Sequence, residues 1–302
     1  MNPFKVKLSF YHLIIICFIA FFVLYTLLVG RTHGSAPTQS PITHHAPRYI
    51  SLAPATTEIL FALGLTDNIV GVSTYCDYPP EALAKPKVGS FSEPNLETIV
   101  EFKPDLVFGT DLAQGPAMAK LQTLKIKVYT SAPKNLEELY TSILEIGQLT
   151  DRTIQAKNLV KNMRDSVTEI TKRTTIIPQN QKPKIFVEIG ENPLITAGKG
   201  SFIDELITLA GGINIAHEVP RPYCYYNIEQ VIKGQPDYII ITDMQIKKSK
   251  ASSVRRFGWE SVPAVKKGQV YNDLDPNILL RPGPRLVEGL EEIYKKIKIP
   301  LS

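Results

Sequence analysis

The sequence predicts an α/β fold made of two similar lobes joined by a long helix. Three observations predict it. Strand-like and helical segments alternate from Arg48 onward, one seventeen-residue unit occurs twice, and a proline-free stretch from about Leu136 to Arg173 keeps helical periodicity. Alternating strands and short helices imply crossover connections, hence mostly parallel sheets. A duplicated unit implies duplicated architecture.

The duplicated unit is NLETIVEFKPDLVFGTD at 95–111, which returns without a gap as NIEQVIKGQPDYIIITD at 227–243. Six positions are identical: Asn95/Asn227, Glu97/Glu229, Pro104/Pro236, Asp105/Asp237, Thr110/Thr242 and Asp111/Asp243. Most of the rest exchange one apolar residue for another. Each copy reads as an asparagine-capped helix, a Pro-Asp stop and a strand buried on both faces.

Taken in order, YISLA reads as a strand ended by Pro54. Thr56 or Thr57 then caps the helix TEILFALG, with Glu58 in its first turn and Gly64 just past its end. NIVGVS is the next strand, and the first copy of the repeat follows. Between Leu136 and Arg173, apolar residues fall at Leu139, Ile143, Ile146, Leu149, Ile154, Leu159, Met163, Val167 and Ile170, with at most one break near Thr150-Asp151. Such a segment is too long for a crossover and reads as a stiff spine between lobes. KIFVEIG then restarts the pattern as a strand, and SFIDELITLAGG is a helix capped by Ser201 and stopped at Gly211-Gly212. After the second copy of the repeat, Pro284 opens a last helix with Leu286, Leu290 and Ile293 on one face. The implied divisions are a segment 1–30, a tether 31–47, an N-terminal lobe 48–135, a backbone helix 136–174 and a C-terminal lobe 175–302. Ligand sites form preferentially in clefts between such lobes.

The N-terminus reads as a membrane segment. Leu13 to Gly30 form an uncharged, almost wholly apolar run of 18 residues preceded by Lys5 and Lys7. That reaches the lower limit for a bilayer-spanning helix and orients the bulk of the chain outward. Pro37 follows the small residues Gly34-Ser35-Ala36 and makes a poor first residue after cleavage, so an uncleaved single-pass anchor is expected rather than a cleaved signal. Ile14-Ile15-Ile16 before Cys17 disfavour a lipoprotein site. Residues 31–47, rich in Pro, Ser, Thr and His, read as a flexible tether that leaves the globular part outside the cytoplasm.

Composition excludes several functions. The chain has 302 residues, 44% hydrophobic content and a net charge of +5, too small and dispersed for nucleic acid binding. Its densest basic run, Lys247 to Arg256, lacks interleaved aromatics and reads as a solvated loop. Only Cys76 and Cys224 occur in the exported part, and neither belongs to a CxxC pair; two free thiols at a cleft rim are expected rather than a bridge. His217 is the only histidine of the folded part, so a bare metal cargo and a protein metal site are improbable. GKGS at 198–201 fails as a phosphate loop because Pro193 and Gly200 occupy required positions. A thiol hydrolase built on Cys76, Asp77 and His217 is a remote reading, since nothing brings these residues together. No cofactor and no catalytic residue are expected.

ISLAPATTEILFALGL, VGVSTYCDYPPEA, NLETIVEFKPDLV and RPGPRLVEGL together resemble the substrate-binding proteins of vitamin B12 ABC importers. More broadly they are similar to the helical-backbone class of periplasmic binding proteins, which also serve iron–siderophore and haem importers. The resemblance spans Arg48 to the C-terminus and implies a corrinoid cargo, with an iron–siderophore or haem as the alternative.

The resemblance also implies residue roles. Glu97 and Glu229, one on each lobe, would dock into arginines of a dimeric ABC permease with its ATPase; on residues alone they are first-turn acids stabilised by their helix dipoles. Tyr75, Phe91 and either Arg221 or Tyr223 would line the ligand pocket, as would Ile195, with Asn277 and Arg281 over the ligand. Independently, Tyr75, Tyr78, Phe91, Tyr223, Tyr225 and Tyr226 lie in loops expected to face one cleft, where broad rings with hydroxyls suit a flat ligand edged with amides. Arg281 offers a planar fork to amides or a phosphate.

Overall fold

The computed structural model describes residues 45–110, 113–242 and 258–297. The expected membrane segment, the tether before residue 45, the basic run Lys247 to Arg256, and Asp111 and Asp243 all lie outside them. No helix among the described residues is long and apolar enough to cross a membrane.

The N-terminal lobe runs β1 (Tyr49–Ser51), α1 (Pro54–Ala62), β2 (Ile69–Val72), α2 (Leu96–Glu101), β3 (Leu106–Gly109), α3 (Gly115–Thr123) and β4 (Val128–Thr130). Its four strands pair in the order β2-β1-β3-β4, all parallel. Two helices follow, α4 (Leu136–Leu149) and α5 (Thr153–Thr174). The C-terminal lobe comprises β5 (Lys184–Gly190), β6 (Ile195–Ala197), α6 (Phe202–Leu209), β7 (Ile213–Asn214), β8 (Tyr223–Tyr225), α7 (Ile228–Gly234), β9 (Tyr238–Ile241), α8 (Pro263–Lys266), β10 (Val270–Tyr271), α9 (Asn277–Leu280) and α10 (Leu286–Lys296). Here β7, β5, β9 and β10 pair in parallel and repeat the first lobe, with β5 in the place of β1 and β9 in the place of β3. Antiparallel β6 and β8 extend this sheet beyond the shared plan, so it is mixed rather than parallel throughout.

The repeat does the same work in both lobes. Asn95 accepts a hydrogen bond from the Thr98 N–H at 3.0 Å, and Asn227 accepts one from Gln230 at 2.8 Å, closing a reciprocal cap. Asp105 and Asp237 then tie down the first strand of their lobes. The Asp105 carboxylate accepts from Arg48 N–H at 2.8 Å, and the Asp237 carboxylate from Lys184 N–H at 3.0 Å. Each aspartate also donates its own N–H to the same residue's carbonyl, 2.8 Å in both lobes.

The expected caps hold at Asn95, Asn227 and Ser201, whose hydroxyl accepts from Asp204 N–H at 3.1 Å. They fail at α1, which begins at Pro54 with Ala53 as an uncapped N-terminus. Thr57 instead turns its hydroxyl back onto the Ala53 carbonyl and Ser51, and Glu58 is buried. Gly64 and Gly211 end their helices at positive φ, as expected. Pro284 sits two residues before α10 instead of in its first turn.

The spine takes the one break the sequence allowed, and the chain reverses there. Asp151 has φ +56°, Glu137 near the start of α4 pairs with Arg164 in the middle of α5, and Arg164 covers the Tyr140 ring at 4.5 Å. A Cβ on Gly147 would collide with the Ala156 Cβ, so α4 and α5 pack nearly backbone to backbone. The long helix joining the lobes is therefore α5, whose 22 residues span about 33 Å. Alternation along the strands separates two faces. In each lobe one sheet face packs on its own outer layer: Ile50, Val107 and Ile99 in one, Phe186, Ile239 and Trp259 in the other. The inner faces join a core running through Tyr49, Ile143, Val160, Ile185 and Leu286, so one continuous apolar core ties lobe to spine to lobe.

Candidate functional site

The carboxyl ends of the strands in both sheets open onto a single large cavity of about 1280 Å³. Ligands of open α/β sheets bind at this end. Its N-terminal wall comes from the residues after β1 (Ala53, Ala55), β2 (Thr74, Tyr75, Asp77), β3 (Thr110) and β4 (Ser131 to Lys134). Its other wall comes from Ser201 and Phe202 at the start of α6, Tyr223, Ile241 at the end of β9, and the segment from Asn272 to Arg281, which includes α9. The volume exceeds the roughly 300–1,000 Å³ of drug-sized sites.

Five of the residues expected at a ligand site line this cavity: Tyr75, Phe91, Tyr223, Asn277 and Arg281. Tyr75 is 60% exposed and Tyr223 48%, so both rings present unpaired apolar area, one from each lobe. Phe91 sits in a loop fixed by buried Gln114, whose amide donates to the Leu52 and Phe91 carbonyls at 2.9 Å and accepts from Thr110 N–H. Sequence reasoning passed over Gln114, because a glutamine before a helix carries no signal of what it will reach. Asn277 is placed by its own N–H, which donates to the Asp275 carboxylate at 2.9 Å.

Tyr78, Ile195, Arg221 and Tyr225 are not among the residues lining the cavity. Tyr78 lies under the guanidinium of Arg285, 3.7 Å from its ring centroid, beside a smaller depression. Ile195 and Tyr225 face each other across the β6–β8 pair, with Tyr225 76% exposed. Tyr226 stacks on Phe186 at 5.7 Å and donates its hydroxyl to the Ile215 carbonyl, so it packs within its own lobe. Trp259 also packs within that lobe, edge-on against Phe186.

Charge at one end of the cavity is self-paired across the lobes. Arg281 forks onto Asp77 at 2.5 and 3.2 Å and lies 3.7 Å from Glu58. Arg285 forks onto Glu58 at 2.7 and 2.9 Å and reaches Asp275 at 3.4 Å. Hydrogen bonding to Arg281 holds the Asp77 carboxyl below its ordinary 3.8, against a smaller opposing effect of burial. Burial works against the charge of Arg285, yet the Glu58 hydrogen bonds and charge outweigh it and raise its pKa. Arg281 is thus occupied by a carboxylate of this chain, where the sequence suggested a fork open to the ligand.

Cys76 and Cys224 are both free. Cys76 is fully buried rather than at a rim, its thiol held between Thr57 and Ser73, and burial pushes its pKa up. A protonated, buried thiol is a poor nucleophile. His217 pairs with Asp204 at 3.0 Å in the C-terminal lobe. Among the described residues no cluster of three or more His, Cys, Asp or Glu side chains can hold a metal ion.

Glu97 and Glu229 stand exposed in the first turns of α2 and α7, with no ion-pair partner among the described residues. Exposed apolar residues flank them, Val100 beside Glu97 and Ile228 beside Glu229.

The chain is similar to several known proteins. A family model described as periplasmic binding protein matches residues 50–276. An uncharacterized ABC transporter substrate-binding lipoprotein of Bacillus subtilis is 34% identical over 255 residues, 83% of this chain and 79% of that protein. A vitamin B12-binding protein of Vibrio cholerae is 33% identical over 256 residues, 84% of this chain and 90% of that protein. Among solved structures, a possible iron-binding, periplasmic solute-binding protein of Staphylococcus epidermidis superposes with a TM-score of 0.72 at 32% identity, covering 83% of this chain and 98% of that one.

Proposed function

Because the chain belongs to the periplasmic binding protein family, we infer that it serves as the substrate-binding component of an ABC importer and that its cargo is cobalamin or a related corrinoid. The family is one of binding proteins, so the chain is a carrier and not an enzyme. The observation that carries the corrinoid reading is the cavity of about 1280 Å³ with Tyr75 and Tyr223 presented from opposite lobes. Two broad amphipathic rings suit a large flat macrocycle edged with amides, gripping its faces while their hydroxyls meet its rim. The Vibrio cholerae relative, named for vitamin B12 binding, supports the same cargo.

Loaded protein would then dock on a dimeric permease with its ATPase through Glu97 and Glu229, one acid per lobe meeting one half of a two-fold partner. Charge pairs of this kind fix register and speed encounter more than they add affinity. The apolar N-terminal run would hold the globular part to the outer side of the membrane, and the description of the Bacillus subtilis relative as a lipoprotein supports an extracytoplasmic position. A second reading, an iron–siderophore carrier, is favoured by the description of the Staphylococcus epidermidis protein as possibly iron-binding. Mixing purified protein with cyanocobalamin, a ferric siderophore or haemin, then desalting, separates these readings. Retained cyanocobalamin supports the corrinoid assignment; retention of only a siderophore or haemin overturns it.

A further inference from the structure

Resting on the corrinoid reading, we propose that Lys134 orients the ligand by pairing with the phosphodiester of its nucleotide loop. The residues lining the cavity include three charged side chains, Asp77, Lys134 and Arg281. Asp77 and Arg281 satisfy each other, and their corner also holds Glu58, Asp275 and Arg285, so three carboxylates face two guanidiniums there. That corner carries an excess of negative charge and repels an anionic group.

Lys134 differs in both position and pairing. It follows β4, whereas Asp77 follows β2, and these are the two outer strands of the order β2-β1-β3-β4. Three strand spacings separate them, about 14 Å. The Lys134 backbone is fixed, because its N–H donates to the Glu138 carboxylate at 2.9 Å and Asn135 next to it caps α4. Its ammonium is exposed and has no ion-pair partner among the described residues. The carboxylates nearest in sequence or packing hold partners other than its ammonium: Glu137 takes Arg164, Glu138 the Lys134 N–H and the Asn135 amide, and Glu205 the Leu136 N–H. Among the charged side chains that line the cavity, Asp77 and Arg281 pair with each other, which leaves Lys134, at the β4 edge, as the one without an ion-pair partner among the described residues. A flat guest with a single anionic substituent lies with that substituent toward Lys134.

The test compares cobalamin with cobinamide, a corrinoid that lacks the phosphodiester and nucleotide. Affinities are measured for the full chain and for Lys134→Gln, Lys134→Glu and Lys120→Gln, the last an exposed lysine on α3 away from the cavity, at low and at physiological salt. The expected result is a loss of about 5-fold for cobalamin in Lys134→Gln, a larger loss in Lys134→Glu, weaker salt dependence, and no change for cobinamide. Lys120→Gln should match the unaltered chain. Equal losses for both corrinoids, or none for either, overturn the proposal while leaving the corrinoid reading in place. Failure of the unaltered chain to bind either corrinoid overturns both.

Discussion

Arg285 forks onto Glu58, 227 residues earlier in the chain, and stacks on Tyr78 from the same lobe as Glu58. Both charges are nearly withdrawn from solvent, with side-chain exposures of 10% and 3%. An ion pair thus links the two lobes beside the smaller depression, and neither partner tolerates being left alone. Glu58→Ala is expected to destabilise the protein by about 3–5 kcal/mol, because it strands a buried guanidinium. Chemical denaturation checks this; a change below about 1 kcal/mol would show that water or Asp275 compensates.

The neighbouring pair behaves differently with pH. Asp77 has a carboxyl pKa depressed below 3.8 by Arg281. A depressed folded-state value means that its stabilising contribution is complete above the unfolded value and fades as pH falls through the folded one. The stability gap between the unaltered chain and Asp77→Asn should be constant from pH 5 to 8 and close below about pH 4. Asp77 is half exposed, so the gap should be small, about 1 kcal/mol at most. A gap that widens in acid would contradict the pairing.

Much of this plan is legible in the sequence, and the boundary is a physical one. Asn95, Asn227 and Ser201 act within three residues of themselves, so their caps can be read locally. Asp105 and Asp237 were marked by repetition, although the strand starts they hold lie more than fifty residues away. Glu58 looked like a first-turn acid because nothing local announces a partner 227 residues on. The same blindness made Tyr78 a cleft residue when its ring serves Arg285, and left Arg281 open when Asp77 occupies it. The reversal between α4 and α5 hid because Thr150-Asp151 contains neither glycine nor proline, and Asp151 takes the left-handed conformation in their place.

That reversal gives a separate test. Gly147 lets α4 lie against Ala156 of α5, and any side chain there must push the helices apart. Gly147→Val should cost about 1–3 kcal/mol, typical of overpacking, and lower the thermal midpoint. An unchanged midpoint would mean that the hairpin is looser than described.

Docking and capture should separate by mutation. Glu97 and Glu229 are exposed and lie outside the cavity lining. Replacing both with alanine is expected to leave ligand affinity within about 2-fold and to abolish transport into vesicles carrying the cognate permease. Normal transport by the double variant would remove these glutamates from the interface.

The most direct measurement is the affinity for cyanocobalamin of the unaltered chain and of Tyr75→Ala combined with Tyr223→Ala. If the two lobes grip a corrin through these rings, the unaltered chain binds one equivalent and the double variant loses about 10-fold or more while remaining folded, each ring contributing roughly 0.5–1.5 kcal/mol beyond its buried area. Equal affinity in the two proteins, or no binding by either, would contradict the account.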